Sequence, residues 1–143
     1  MGVLIERMEW IKECMEELNF ILEELSIEEI LNKLRYLAMV LYLLQSSIQA
    51  LIDMGTRLLS QLGFNPPAAY GEIPEKLHSI GVLENNEMEE FRKMVGFGNI
   101  VVHGYIGIDK DRLSRVLINR LYLSIYDIAL KIINFAKSKG VDP

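Results

Sequence analysis

The sequence is poor in cysteine, proline and glycine, and each shortage excludes a class of protein. Its single cysteine, Cys14, has no partner within the chain, so the fold is not a disulfide framework and the composition fits a reducing compartment. Four prolines and ten glycines among 143 residues exclude collagen-like and low-complexity sequences. Half of the residues are hydrophobic and 24% are charged, which excludes an intrinsically disordered chain. We therefore expect one globular domain over residues 1–143, located in the cytoplasm.

Long hydrophobic runs are also missing. The longest, Tyr36–Leu44, has nine residues and ends at Gln45. A membrane-spanning helix needs about 20 predominantly apolar residues. The first residues include Glu6 and Glu9 instead of the basic start that is typical of a signal peptide. The run is therefore predicted to be a buried helix segment, and no membrane partner is expected.

Charge is unevenly distributed along the chain. The formal net charge is −5, which argues against strong non-specific binding of nucleic acid by the chain as a whole. Residues 1–30 carry nine acids and two bases, residues 31–90 carry seven acids and four bases, and residues 91–143 carry four acids and nine bases. Two interpretations are open: the C-terminal third faces a polyanion, or acidic and basic helices simply pack side by side.

Hydrophobic periodicity is helical almost throughout the chain. An apolar seam from Leu4 to Leu25 advances in alternating steps of four and three residues, which predicts a first helix over Val3–Leu25. Further helices are predicted over Ile27–Gln61, Ile73–Ile80, Glu87–His103, and from Asp109 to near Gly140. No segment alternates in the manner of a strand. The expected fold is an all-α, up-and-down bundle of four to five helices.

Capping signals set the predicted helix boundaries. Ser26, with Glu29 three residues later, is typical of a capping box that opens the second helix. Asn86 and Glu89 have the same spacing at the start of the fourth. Asp109 is the predicted N-cap of the last helix.

The sequence contains neither a metal-ligand motif nor a phosphate-binding glycine loop. His78 and His103 are far apart, and no cysteine joins them at a metal-ligand spacing. Gly96-Phe97-Gly98 lies within a helical pattern with no strand before it, so it is not a nucleotide-binding loop. Glycine weakens a helix by about 1 kcal/mol relative to alanine, so a local reason for these glycines is expected. We expect neither a metal nor a cofactor.

One segment carries side chains suited to proton transfer. His103 lies near the end of an apolar helix, Asn99 is four residues earlier on the same helix face, and Tyr105 follows after a glycine. A histidine with an ordinary pKa of about 6.5 gives or takes protons at neutral pH. From these residues alone, a structural histidine is the stronger interpretation.

The run Gly96-Phe97-Gly98-Asn99, followed by His103-Gly104-Tyr105, resembles the signature of the HepT-like branch of the HEPN superfamily. This branch is the toxin half of MNT–HepT toxin–antitoxin pairs, and its members carry an arginine, four to six arbitrary residues, a histidine, one residue and a tyrosine. The resemblance extends from about residue 35 to about residue 110. It includes Tyr42-Leu43-Leu44-Gln45 on the long second helix and Pro67, Tyr70, Gly71 and Glu72 in the middle loop.

The resemblance implies a HEPN-type bundle that forms a homodimer and acts as a metal-independent RNA endonuclease, with the two signatures meeting across the dimer interface. It also implies a partner, a small MNT-type nucleotidyltransferase antitoxin. This partner would transfer AMP to the signature tyrosine and silence the toxin of a type VII pair. His103 corresponds to the catalytic histidine, Tyr105 to the AMP-modified tyrosine, and Asn99 to the residue after the family's arginine.

The signature arginine itself is absent, because position 98 is Gly98. Arg92 lies eleven residues before His103, outside the family spacing. An arginine fork suits the charge that builds on phosphoryl oxygens during cleavage, and losing one such donor costs about 10²–10³ in rate. Three bases at the start of the next helix are candidate phosphate or RNA contacts that would supply the charge: Lys110, Arg112 and Arg115. The alternative is an ordinary solvated helix face.

A polar line also runs along the predicted second helix. Gln45, Gln49 and Asp53 share one face, because they are spaced four residues apart. This line either approaches His103 and orients its ring, or forms a solvent edge on which Asp53 pairs with Arg57.

Two functions from different classes are therefore open. The first is an RNA endonuclease with His103 as the acid–base residue. The alternative, which Gly98 favours, is a catalytically inactive dimeric HEPN binding module that partners a nucleotidyltransferase. In either case the Leu4–Leu25 seam and the Tyr36–Leu44 segment exceed the apolar surface that one small bundle needs, which predicts a symmetric dimer.

Overall fold

The computed structural model describes the backbone of residues 2–103 and 109–142, and the side chains of residues 2–97 and 109–142. Within these ranges the chain forms seven α-helices and no strand. In chain order the helices are α1 (Val3–Glu24), α2 (Ile27–Asn32), α3 (Leu34–Gln61), α4 (Glu72–Ser79), α5 (Asn85–His103), α6 (Lys110–Ile118) and α7 (Leu123–Lys139). The predicted all-α bundle is confirmed.

The central helix of the bundle is α3, because α1, α2, α4, α5 and α7 all pack against it. Among the described residues it is the one helix that is long and apolar enough to cross a membrane, judged by length and composition alone. Half of its most apolar window is buried against the other helices. That burial is the pattern expected of a bundle core helix.

The predicted buried segment Tyr36–Leu44 is buried on one side only. Val40 and Leu44 belong to the core, whereas Met39 and Tyr42 are 46% and 59% exposed. The first half of α3 therefore presents apolar side chains to solvent as well as to the bundle.

The apolar seam of α1 is buried within the single chain. Leu4, Ile11 and Leu18 are almost completely shielded, and Cys14 lies beside them as a buried thiol. Because most of the seam is buried inside the bundle, it leaves little of the spare apolar surface that the sequence suggested for a dimer.

The predicted second helix, Ile27–Gln61, is wrong in one respect: it is broken at Lys33 into α2 and α3. Lys33 is extended, with φ −116° and ψ 119°. Just before it, the Asn32 side chain donates a 2.8 Å hydrogen bond to the Glu28 carbonyl, and such side-chain bonds compete with continued helix. The break allows Ile30 to reach the core, where it is fully buried.

The predicted capping box at the start of this region is confirmed. The Ser26 hydroxyl accepts the Glu29 backbone N–H at 3.1 Å, and the Glu29 carboxylate accepts the Ser26 backbone N–H at 3.2 Å. The other predicted box is not formed. Helix α5 begins at Asn85, earlier than predicted, and the Glu87 carboxylate accepts the Glu84 N–H at 2.8 Å.

The predicted last helix is also broken in two, between α6 and α7. Its N-cap and its stop are confirmed: the Asp109 carboxylate accepts the Arg112 N–H at 3.0 Å, and Gly140 is left-handed with φ 67°. Between them Arg120 has φ 50°, a conformation that ends α6 and turns the chain into α7.

Long-range polar contacts hold this break in place. The Arg120 guanidinium donates to Asn19 Oδ1 at 2.9 Å and to the Tyr122 oxygen at 3.0 Å, and the Tyr122 hydroxyl donates to Asn19 Oδ1 at 2.6 Å. Asn19 belongs to α1, so the α6–α7 junction is fixed by a partner far away in sequence. The two breaks explain why the helix count exceeds the predicted four to five.

Candidate RNA-binding groove

A groove of about 340 Å³ opens between α3, α5, α6 and the start of α7. Twelve residues line it: Leu44, Ile48, Glu90, Lys93, Met94, Phe97, Arg112, Arg115, Val116, Leu121, Tyr122 and Ile125. Its volume lies within the range of ordinary ligand pockets, about 300–1,000 Å³. Helix α5, which forms one wall, continues from Phe97 into the signature segment.

The floor of the groove is apolar and contains two aromatic rings. Phe97 is 7% exposed and Tyr122 is 1% exposed. Burial raises the pKa of the Tyr122 phenol, although the charge of Arg120 and its hydrogen bond partly oppose the shift. The phenol is therefore protonated at neutral pH, in agreement with its role as a donor to Asn19.

The rim of the groove is cationic. Lys93, Arg112 and Arg115 carry three positive charges, and Glu90 carries one negative charge and pairs with Lys93 at 3.8 Å. Such an excess of positive charge suits a polyanionic ligand.

The acidic helix α1 does not neutralise this rim. Helix α1 packs against α7, yet within the described side chains no carboxylate of α1 forms an ion pair with a base of the C-terminal third. The contact of α1 with α7 fits the side-by-side interpretation of the uneven charge, so both interpretations stay open.

Two of the three predicted phosphate contacts lie in the groove. Arg112 is half-buried and Arg115 is exposed, and both line it. Lys110 is exposed at the start of α6 and is not among the lining residues. Lys93 was missed, because on the sequence it is one more charged residue on an amphipathic helix and only α6 gives it basic neighbours.

Arg112 touches α5 directly. Its Nη2 donates to the Lys93 carbonyl at 3.4 Å, and its Cζ lies 5.6 Å from the centroid of the Phe97 ring. Arg92, by contrast, is bound to two acids on the surface, Glu75 at 2.7 Å and Glu89 at 3.2 Å.

The signature residues themselves fall largely outside the described part of the chain. Gly98, Asn99 and His103 belong to the backbone of α5, but side chains from position 98 onward to position 108 are not described. Tyr105 lies outside the described residues altogether. Their roles stay predictions.

The polar line on α3 faces α1. Asp53 accepts a 3.2 Å hydrogen bond from Arg7 Nε, and its other oxygen accepts one from Gln49 at 3.1 Å. The predicted surface pair of Asp53 with Arg57 is wrong, because Arg57 lies 3.5 Å from Asp142 instead. Gln45 is half-buried on the same helix.

The second histidine has a structural contact. His78 Nδ1 lies 2.9 Å from the Leu83 carbonyl, at the turn between α4 and α5. In the portion of the chain that is described, no cluster of three or more His, Cys, Asp or Glu side chains is arranged to hold a metal ion.

The described helices have the HEPN fold. The chain is similar to a toxin–antitoxin complex solved with AMP-PNP, with a TM-score of 0.82 and 20% identity, over 92% of this chain and 98% of that one. It is also similar to the tri-AMPylated HEPN toxin of Shewanella oneidensis, solved in complex with MNT antitoxin. That match has a TM-score of 0.78 and 21% identity, over 90% of this chain and 96% of that one.

The family follows from sequence. The ribonuclease HepT-like family matches residues 11–132, most of the chain, and the protein therefore belongs to this family. A relative from Archaeoglobus fulgidus, provisionally named as an RNase, is 26% identical over 132 residues, which cover 92% of each chain.

Proposed function

We propose that this protein is a metal-independent RNA endonuclease and the toxin of a type VII toxin–antitoxin pair. Membership of the HepT-like family supports a ribonuclease role. The observation that carries the proposal is the groove, because its cationic rim and aromatic floor adjoin the helix that bears the signature. RNA offers the phosphates that such a cationic rim binds.

In the proposed reaction His103 acts as the base. Its imidazole removes the proton from a ribose 2′-hydroxyl, and the resulting oxygen attacks the adjacent phosphorus. The bond from phosphorus to the 5′-oxygen breaks, and that oxygen takes up a proton. The products are a 2′,3′-cyclic phosphate and a 5′-hydroxyl end. Because the attacking oxygen belongs to the RNA itself, this mechanism requires no metal ion to activate a water molecule. Asn99, one helical turn before His103, is proposed to orient the ring or the phosphate.

The test is RNA cleavage by the protein without its antitoxin, in the presence of EDTA. The wild type is expected to cut single-stranded RNA. His103→Ala is expected to cut it about 10²–10⁴-fold more slowly, which is the usual contribution of a general base. His78→Ala is the matched control, because this histidine is not among the groove-lining residues and its ring is hydrogen-bonded to the Leu83 carbonyl. Equal loss in both variants would contradict the assignment.

Tyr105 is proposed as the site at which an MNT-type nucleotidyltransferase adds AMP. One of the similar solved structures is a tri-AMPylated HEPN toxin in complex with MNT antitoxin, which supports the same chemistry for a related chain. A new phosphate two residues after His103 would repel an RNA phosphate. Incubation with the cognate nucleotidyltransferase and ATP should add AMP mass at Tyr105, and modification elsewhere alone would contradict it.

A second candidate function is a catalytically inactive homodimeric module that binds the nucleotidyltransferase. Gly98, in place of the signature arginine, favours it. A wild-type protein that dimerises and binds the nucleotidyltransferase but cuts no RNA would support this alternative over the endonuclease.

A further inference from the structure

We infer that Arg112 of α6 supplies the phosphate-binding cation that Gly98 fails to supply on α5. The inference rests on the proposed function, because it names the residue that holds the RNA phosphodiester in the groove. Position 98 of α5 is a glycine and has no side chain that could bind the phosphate, so the inference assigns this role to α6.

Arg112 is held beside the end of α5 that leads into the signature. Its guanidinium lies over Phe97, the residue directly before position 98, and donates to the Lys93 carbonyl one helical turn earlier. Consecutive residues of a helix rise by about 1.5 Å, so the charge of Arg112 is held within about one and a half turns of position 98, on its N-terminal side. Neither Lys110 nor Arg115 has a hydrogen bond to α5 among the described residues.

The Arg112 guanidinium is also available to an anion. Among the described side chains no carboxylate forms an ion pair with Arg112, whereas Arg92 is bound to Glu75 and Glu89. An arginine has five N–H donors, and the Lys93 carbonyl accepts only one hydrogen bond from Arg112. The remaining donors suit a phosphate, which a guanidinium binds through two oxygens at once.

The helix that carries the Arg112 side chain is anchored in the bundle. Helix α6 is anchored by Leu113 and Leu117, which are 0% and 1% exposed, and by the Asp109 cap. The Phe97 ring and the Lys93 carbonyl then hold the Arg112 side chain itself. A cation that is already in place loses little freedom when the phosphate binds.

The experiment compares five variants with the wild type: Arg112→Ala, Arg112→Lys, Arg92→Ala, Gly98→Arg, and the double variant Gly98→Arg/Arg112→Ala. Cleavage of a single-stranded RNA is measured without antitoxin. Binding is measured with the same sequence made as 2′-O-methyl RNA, which lacks the attacking hydroxyl. Thermal unfolding of each variant verifies that the bundle is intact.

Arg112→Ala is expected to slow cleavage by about 10²-fold, the usual worth of one transition-state donor. Arg112→Lys should recover only part of the rate, because a lysine cannot bind two oxygens as a fork. Arg92→Ala, the matched arginine control outside the groove, should change the rate by less than about threefold, because its guanidinium is paired with Glu75 and Glu89 on the surface.

The double variant decides whether Arg112 is more than structural. An arginine at position 98 should restore most of the rate lost in Arg112→Ala, yet change the wild type little. A purely structural loss at α6 would not be repaired by a charge on α5.

The outcomes separate this inference from the proposed function. If the wild type cuts RNA and Arg112→Ala cuts it equally well, the inference is wrong and the endonuclease function stands. If the wild type cuts nothing but binds 2′-O-methyl RNA in an Arg112-dependent manner, the inference stands and the endonuclease function is wrong. If the wild type neither cuts nor binds RNA, both are overturned.

Discussion

Gly55 and Gly96 are helical glycines with opposite surroundings. A Cβ on Gly55 would lie 2.5 Å from Ile73 Cγ2 and 3.4 Å from Leu77 Cδ1, so this glycine lets α4 approach α3 closely. A Cβ on Gly96 would meet nothing within 4 Å. The local reason that the sequence suggested for Gly96 is therefore not packing within the described chain.

Alanine at these two positions should shift stability in opposite directions. Gly55→Ala should lower the free energy of unfolding by about 1–3 kcal/mol, because the branched Ile73 side chain is buried and cannot swing away. Gly96→Ala should raise it by about 1 kcal/mol, the helix propensity gained. Urea unfolding of both variants checks the pair, and a stabilised Gly55→Ala protein would contradict the close approach.

Cys14 is a buried thiol with a raised pKa. Burial, and to a lesser extent the nearby charge of Glu13, raise the pKa of the Cys14 thiol from 9.0 to about 11. At pH 8 the folded protein should react with iodoacetamide about 100-fold more slowly than the urea-unfolded chain, because only the thiolate reacts. Equal alkylation rates in the two states would contradict the burial.

The same shift predicts the sign of a pH dependence. The thiol stays protonated in the folded state while the unfolded state loses its proton above pH 9.0, so its contribution to stability is complete below 9.0 and is lost as the pH rises towards about 11. Cys14→Ala should therefore lose less stability than the wild type between about pH 8 and about pH 10.5, a window that spans this shift. The comparison requires unfolding curves of both proteins at the two pH values.

At the scale of elements, the start of α1 depends on the end of the chain. Gly2, the N-cap residue, has no side chain to offer. Asp142 instead accepts the Leu4 N–H at 2.9 Å and the Val3 N–H at 3.3 Å, and it also pairs with Arg57 at 3.5 Å. The carboxylate is nearly buried, with 5% of its side chain exposed.

Loss of this cap should weaken the whole bundle. Asp142→Ala should lower the free energy of unfolding by about 1–3 kcal/mol, because two N–H groups and the Arg57 guanidinium lose their acceptor. Asp127→Ala, at an exposed position on α7, is the control and should change stability by less than about 0.5 kcal/mol. Similar thermal shifts for the two variants would show that the cap contributes nothing.

At the scale of the whole molecule, the exposed apolar side of α3 supports the proposed dimer. Met39 and Tyr42 are neighbours at i and i+3 on this helix, and both are largely exposed. Wild-type protein at micromolar concentration should sediment as a dimer of the 16.4 kDa chain. The double variant Met39→Lys/Tyr42→Lys should shift it to the monomer, because charges are costly to bury.

Leu130→Lys serves as the control for this experiment, since Leu130 is exposed on α7. It should remain dimeric. A wild-type protein that sediments only as a monomer would count against the dimer, and a dimeric double variant would place the interface elsewhere.

Much of the fold was predictable because its signals are local. These signals depend on residues within a few positions of one another. They are the seam on α1, the capping box at Ser26, the cap at Asp109 and the stop at Gly140. The signature around His103 was also readable as a motif, and it identified the family that the match over residues 11–132 establishes.

The rest was decided by partners far away in sequence, which periodicity and spacing do not reveal. Asp53 pairs with Arg7, 46 residues away, instead of with Arg57 on its own helix, and the turn at Arg120 is held by Asn19, 101 residues away. The groove arises in the same way, because Arg112 of α6 reaches the Phe97 ring of α5 only in the folded chain. Sequence alone determined the helical periodicity, the local caps at Ser26, Asp109 and Gly140, and the family. The tertiary structure decided where helices break and which charges are neutralised, because both depend on contacts between residues far apart in sequence.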